Sequence, residues 1–146
     1  MRGFGEAGVD VKVLHHVSLP VTDLGRSRRF YREVLGLEEI ARAPLPVPGA
    51  WFRLGDCELH LVAGEAAAVR GSTGTDPRQL HSAAVRVASY RAALERLRAH
   101  GYREDAEEGD PGRVLALPRS VVGYPQLYLL DPDRHLIEVN AERLDD

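Results

Sequence analysis

Apolar and polar positions along this chain fall into two alternating patterns, one of period two and one of period three to four. The run VLHHVSLPV at residues 13–21 alternates as a strand: Leu14, His16, Ser18 and Pro20 share one face, and Val13, His15, Val17, Leu19 and Val21 share the other. The adjacent histidines are thereby expected to point to opposite sides. Thr22 or Asp23 is placed to cap a helix reaching about Leu35, with Phe30, Val34 and Leu35 on its buried stripe and Gly36 ending it. A strand is predicted over 38–42. The three prolines of APLPVPG make 43–49 a loop, and 51–54 and 58–62 read as a hairpin joined through Gly55 and Asp56. In that hairpin Glu58 and His60 share a face. Residues 64–79 are small, Gly-containing and polar, the composition of a linker.

The second half repeats this order. Residues 80–87 read as a strand carrying His81, and 90–100 as an amphipathic helix with Ala93, Leu94 and Leu97 inward and Gly101 ending it. A short strand is predicted at 102–104, a polar turn follows, and the segment VLALPRSVVGYP receives no assignment. The chain then closes with a hairpin of 126–130 and 136–139 around Asp131, Pro132 and Asp133. A shift of 65 residues places His16 on His81 and Gly36 on Gly101. Strand, helix and three strands are therefore used twice, which makes the class α+β. The division expected is a flexible N-terminus at 1–11, a first module at 12–64, a linker at 65–79 and a second module at 80–146, together one domain.

Composition narrows the setting. The chain of 146 residues suits one domain, and Cys57 is its only cysteine, so no intrachain disulfide forms and a reducing cytoplasm fits. No run approaches the length of a membrane span and the N-terminus lacks a signal-like apolar core, so a soluble cytoplasmic protein without a membrane partner is expected. Nineteen basic and 22 acidic side chains give a net charge of −3 and are interspersed, which argues against a nucleic-acid partner. The local cluster Arg26, Arg28, Arg29 and Arg32 reads as the solvated side of its helix.

The chemistry-bearing residues follow from the repeat. Glu138 stands in an apolar run, LIEV, and is either buried against a compensating partner or on the wet face of its strand; the local sequence leaves both open. Laying CELHLVAGE on HLIEVNAE sets His60 opposite Glu138. Each half then offers one candidate on its first strand and one on its last, His16 with His60 and His81 with Glu138. Imidazole and carboxylate together suit Mn, Fe(II), Co, Ni or Zn.

The stretches HHVSLPVTDLGRSRRFYREVLGLEE, GAWFRLGDCELHLV, LHSAAVRV and YLLDPDRHLIEV resemble in turn the markers of the vicinal oxygen chelate superfamily, which groups glyoxalase I, extradiol dioxygenases, fosfomycin resistance transferases, methylmalonyl-CoA epimerase and bleomycin resistance proteins. The resemblance spans 13–140. It implies paired βαβββ modules forming a cupped mixed sheet with a divalent metal on its concave face, and a homodimer. His16, His81 and Glu138 match the family's ligands, and His60 stands where lyases and epimerases have Glu or Gln. Glu138 and His60 are the implied proton-moving groups, with Tyr128 and Trp51 lining the substrate cup. The function implied is metal-dependent chemistry on a small oxygen-bearing molecule, leaning to a glyoxalase-like lyase or isomerase. The alternatives are an extradiol-type dioxygenase and a non-catalytic drug-binding protein of the bleomycin-resistance type. Arg134 departs from the family's DPDG turn and is expected to alter its geometry.

Overall fold

The computed structural model describes residues 8–65, 69, 71–77 and 81–145. The first module runs β1 (His16–Val21), α1 (Leu24–Arg29), one π-helical turn (Phe30–Val34), β2 (Glu39–Ile40), β3 (Gly49–Leu54) and β4 (Cys57–Ala63). The second runs β5 (Ala83–Val87), α2 (Tyr90–Ala99), β6 (Val114–Leu117), β7 (Gln126–Leu130) and β8 (Leu136–Ala141). Each forms a four-stranded mixed sheet, ordered β1-β4-β3-β2 and β5-β8-β7-β6. Only the first and last strands of a module pair in parallel, β1 with β4 and β5 with β8. That crossover is what lays a module's two candidate residues side by side.

The helices start and stop for the reasons their sequences suggest. Asp23 accepts from the Arg26 amide at 3.0 Å and Ser89 from the Ala92 amide at 3.0 Å, each satisfying a first-turn donor. Gly36 (φ 73°) and Gly101 (φ 91°) adopt the left-handed conformation that ends each helix.

One apolar cluster joins both modules. Leu19, Val21, Ala50, Phe52, Leu59 and Leu61 meet Phe30 and Tyr31 in the first, and Leu127, Leu129, Ile137, Val139 and Ala141 meet Tyr90 and Leu97 in the second. Alternation then fixes what the opposite faces carry. In the first module these are Trp51, Glu58, His60 and Val62; in the second they are Arg86, Gln126, Tyr128, Glu138 and Asn140.

Several expectations need correction. β1 begins at His16, where pairing with β4 begins at Glu58, and Val13 and Leu14 are 57% and 65% exposed. Within residues 38–42 only Glu39–Ile40 is a strand, and 102–104 contributes a single bridge between Arg103 and Arg113. The unassigned segment supplies β6, its strand signal hidden because VLAL runs straight into the Pro- and Gly-containing loop 118–125. Leu80, the predicted start of the second module's first strand, lies outside the described residues, as do 1–7 and parts of the linker.

The linker residues Ser72, Thr73 and Thr75 hydrogen-bond to the second module. Arg134 has φ 65°, so it holds the left-handed conformation the glycine would have taken, and the expected change of turn geometry does not occur. Its guanidinium donates to the carbonyls of Ser72 (2.7 Å), Thr73 (2.8 Å) and Gly109 (3.1 Å), which offsets the strain. The β7–β8 turn also docks into the first module. Tyr31 donates to buried Asp131 at 2.6 Å, Asp133 accepts from the Thr22 amide and hydroxyl, and His135 Nε2 lies 2.7 Å from the Pro20 carbonyl oxygen. Among the described residues no helix is long and apolar enough to cross a membrane.

Candidate functional site

Glu138 is 4% exposed, which settles the alternative its strand left open. β7 and β8 pair antiparallel with Tyr128 opposite Glu138 and Gln126 opposite Asn140, so four polar side chains share one face. Glu138 Oε1 accepts from the Tyr128 hydroxyl at 2.7 Å and from Gln126 Nε2 at 3.1 Å, and Oε2 accepts from Asn140 Nδ2 at 2.5 Å. Three neutral donors thus offset the burial of the carboxylate. Burial first, then the hydrogen bond to Glu138, push the Tyr128 phenol far above its ordinary pKa. Its hydroxyl is therefore a committed donor to Glu138. Ser120 donates to Gln126 Oε1 at 2.7 Å and ties the 118–125 loop to the same group.

His81 reaches this cluster by a route that strand parity does not foresee. Counting from Ala83, Val85 and Val87, which pack on the core, position 81 belongs to the apolar face. β5 begins only at Ala83, however, and a bend at Ser82 breaks the alternation. The imidazole ends with Nε2 3.9 Å from Glu138 Oε1 and its ring edge-on to Tyr128 at 5.9 Å between centroids.

In the first module the rings of Trp51, His60 and His16 form a stack. Centroids lie 4.3 Å apart for Trp51 and His60 and 4.0 Å for His60 and His16, with interplanar angles of 7° and 15°. His60 Nε2 lies 2.8 Å from Glu58 Oε1. That hydrogen bond holds the Glu58 carboxyl below its usual pKa against the opposing effect of desolvation, helped by the nearby charges of His15, His60 and His16. His15 and His16 do not part to opposite sides as expected. Both precede or open the strand, and their Nδ1 atoms are 2.8 Å apart.

The fit of these groups to a divalent ion differs between modules. Ligand bonds of about 2.0–2.2 Å let one ion bridge two donors up to about 4.3 Å apart, and the His81–Glu138 separation of 3.9 Å falls inside that span. The His16 and His60 rings are almost parallel, so their in-plane lone pairs run side by side and do not converge on one point. With Nε2 turned to Glu58, His60 has only Nδ1 left to offer an ion. Among the described residues no three His, Cys, Asp or Glu side chains gather into one metal-binding group, so the structure brings the four candidates together as two pairs.

Three residues of this face escaped the sequence reading: Gln126, Asn140 and Arg86. A signal existed, since Gln126 and Asn140 each stand two residues from Tyr128 and Glu138 on the same strand face.

Comparison with known proteins bears on this arrangement. No curated protein matches the chain. A family model described as the Glyoxalase/Bleomycin resistance protein/Dioxygenase superfamily matches residues 13–139. Among solved structures, a glyoxalase family protein from Bacillus anthracis aligns with TM-score 0.69 at 20% identity, covering 97% of this chain and 98% of that one. TnmS3, an antibiotic binding protein from Streptomyces sp. CB03234, aligns with TM-score 0.67 at 23% identity over 92% and 98%. A variant of the fosfomycin resistance protein FosX from Listeria monocytogenes, complexed with Mn(II) and 1S,2S-dihydroxypropylphosphonic acid, aligns with TM-score 0.64 at 21% identity over 92% and 95%. At these identities the structural likeness speaks for the fold. With two βαβββ modules and a family match over nearly its whole length, the chain belongs to the Glyoxalase/Bleomycin resistance protein/Dioxygenase superfamily.

Proposed function

We propose that this protein is a metal-dependent enzyme acting on a small oxygen-bearing organic molecule, of lyase or isomerase type. The observation that carries the reading is the buried Glu138 carboxylate, held by three donors with an imidazole 3.9 Å away. A carboxylate oriented this firmly, beside a histidine that makes no hydrogen bond among the described residues, is arranged to meet a cation. His16, His81 and Glu138 are the ligand set, with Mn, Fe(II), Co, Ni and Zn all chemically suited. Because the two pairs lie on separate sheets, the complete set is assembled by a homodimer in which the first-module face of one copy meets the second-module face of the other. The exposed His16 and the 37% exposed Val62 leave the first-module face free for that contact.

A divalent ion so held supplies Lewis acidity, stabilising negative charge that develops on substrate oxygen. The chain's own residues do the rest. Asn140, Gln126 and Tyr128 fix both oxygens of Glu138, so its geometry does not depend on substrate. His60 is backed by Glu58 and clamped between Trp51 and His16, which suits it to accept a substrate proton at Nδ1 while Glu58 stabilises the imidazolium. Trp51 floors the cup. The Mn(II) and dihydroxyphosphonate held by the FosX variant are consistent with an oxygen-rich ligand in such a cup.

The test is turnover. Protein loaded separately with Mn, Co, Ni, Zn or anaerobic Fe(II) is assayed on hemithioacetals, epoxides, acyl-CoA thioesters and catechols. Metal-dependent turnover of a non-catechol substrate, lost in His60→Ala, supports the reading. Oxygen uptake with ring cleavage of a catechol replaces it with the dioxygenase. Tight ligand binding with no turnover under any metal replaces it with a drug-binding protein.

A further inference from the structure

We propose that Arg86 forms an oxyanion-recognition subsite beside Glu138, taking a carboxylate or phosphonate group of the ligand; the inference rests on reading this face as the substrate cup. In the β5–β8 ladder Ala84 is opposite Glu138 and Arg86 opposite Asn140, so Arg86 projects from the same face as the buried carboxylate. Its Nε donates to Asn140 Oδ1 at 2.6 Å, while the other end of that amide, Nδ2, donates to Glu138 Oε2. The guanidinium carbon lies 4.9 Å from the centroid of the Tyr124 ring.

The side chain is thereby fixed along one edge and over one face. A guanidinium has five N–H donors, and the edge bond uses one, so the two terminal amino groups keep the fork that matches two oxygens of an oxyanion. Among the described residues no carboxylate lies within ion-pair distance of Arg86, whereas Arg26, Arg28, Arg53, Arg98 and Arg113 each have an acidic partner. The Asn140 amide explains how this charge stays unpaired two residues from a buried glutamate. It offers N–H to the carboxylate and C=O to the guanidinium, satisfying both while keeping them from pairing directly. A ligand meeting this face finds a negative group at Glu138 and a preorganised positive fork at Arg86. Its acid end is directed to Arg86 and its hydroxyl or carbonyl end to the His81–Glu138 pair, which describes a small oxygenated acid.

The experiment is calorimetric titration of the metal-free protein with lactate, 2-hydroxypropylphosphonate and the uncharged lactamide, repeated with Arg86→Gln and Arg86→Lys and accompanied by Mn(II) content for each. Wild type binds at least one of the two anions about tenfold or more tightly than lactamide. Arg86→Gln abolishes that preference with lactamide still bound and the fold retained, and Arg86→Lys restores it in part, as a point charge without the fork does. Whether lactate or the phosphonate is preferred identifies the acid group. Equal anion binding in wild type and Arg86→Gln overturns the inference, as does a wild type that binds neither anion more tightly than lactamide. Arg86-dependent anion binding in a wild type that takes up no Mn(II) when dialysed against it upholds the subsite while refuting the metal centre.

Discussion

Tyr128→Phe measures how firmly the candidate site is built. The hydroxyl donates to Glu138 Oε1 at 2.7 Å and accepts from Gln126 Nε2 at 3.0 Å, so the change removes one charge-assisted bond and one neutral bond from a buried cluster. A hydrogen bond to a charged group contributes about 1.5–3 kcal/mol. Gln126 still serves Oε1 at 3.1 Å, so the low end applies, about 1.5–2 kcal/mol of unfolding free energy. The assay is urea denaturation of wild type, Tyr128→Phe, Glu138→Gln and the double variant. In the Glu138→Gln background the loss on removing the hydroxyl shrinks, giving a coupling of about 1 kcal/mol. A coupling below about 0.3 kcal/mol would refute the claim that Tyr128 acts through Glu138 and would return its hydroxyl to the ligand.

The β7–β8 turn gives a second perturbation: Tyr31→Phe strips the hydroxyl donor from buried Asp131 and should cost about 1.5–3 kcal/mol in urea melts, with no loss contradicting the clasp. Burial raises the Asp131 pKa in the fold, outweighing its hydrogen bonds. A raised acid is destabilising above its folded pKa and relieved below it. Relative to Asp131→Asn, wild type therefore gains stability as pH falls towards the ordinary carboxylate range of about 4, and the opposite slope would reject the assignment. Arg134→Gly keeps the positive φ and loses three carbonyl contacts, so Arg134→Val, which also adds strain, should be the more destabilising by about 1 kcal/mol in thermal melts. Trp51 is the only tryptophan and stacks on His60, so His60→Ala should change its emission intensity; an unchanged spectrum contradicts the stack.

Local patterning made much of the fold legible. Asp23 at its cap, Gly36 and Gly101 at helix ends and the shared face of Glu58 and His60 on β4 all act over a few residues, and each is found where expected. The duplicated order set one candidate near the first strand and one on the last strand of each unit, and β1 does lie beside β4 and β5 beside β8. What stayed hidden depends on long-range packing. The bend at Ser82 that turns His81 towards Glu138 leaves no mark in the run LHSAAVRV. Arg134 keeps a glycine-like conformation only because Ser72, Thr73 and Gly109 present carbonyls to it. Gln126 and Asn140 were overlooked because an amide in an apolar strand carries no motif, although a period-two count from Tyr128 and Glu138 places them on the same face. Glu58 was seen to share a face with His60, yet its hydrogen bond, which occupies Nε2, is a matter of rotamers.

The central claim, that His81 and Glu138 with His16 hold a divalent ion, is tested most directly by equilibrium dialysis of purified, chelator-treated protein against Mn(II), with the bound metal counted per chain. The account predicts about one ion per chain in wild type and at least about a tenfold lower affinity in each of His16→Ala, His81→Ala and Glu138→Gln, with the fold retained. Mn(II) bound as tightly by His81→Ala as by wild type would contradict it.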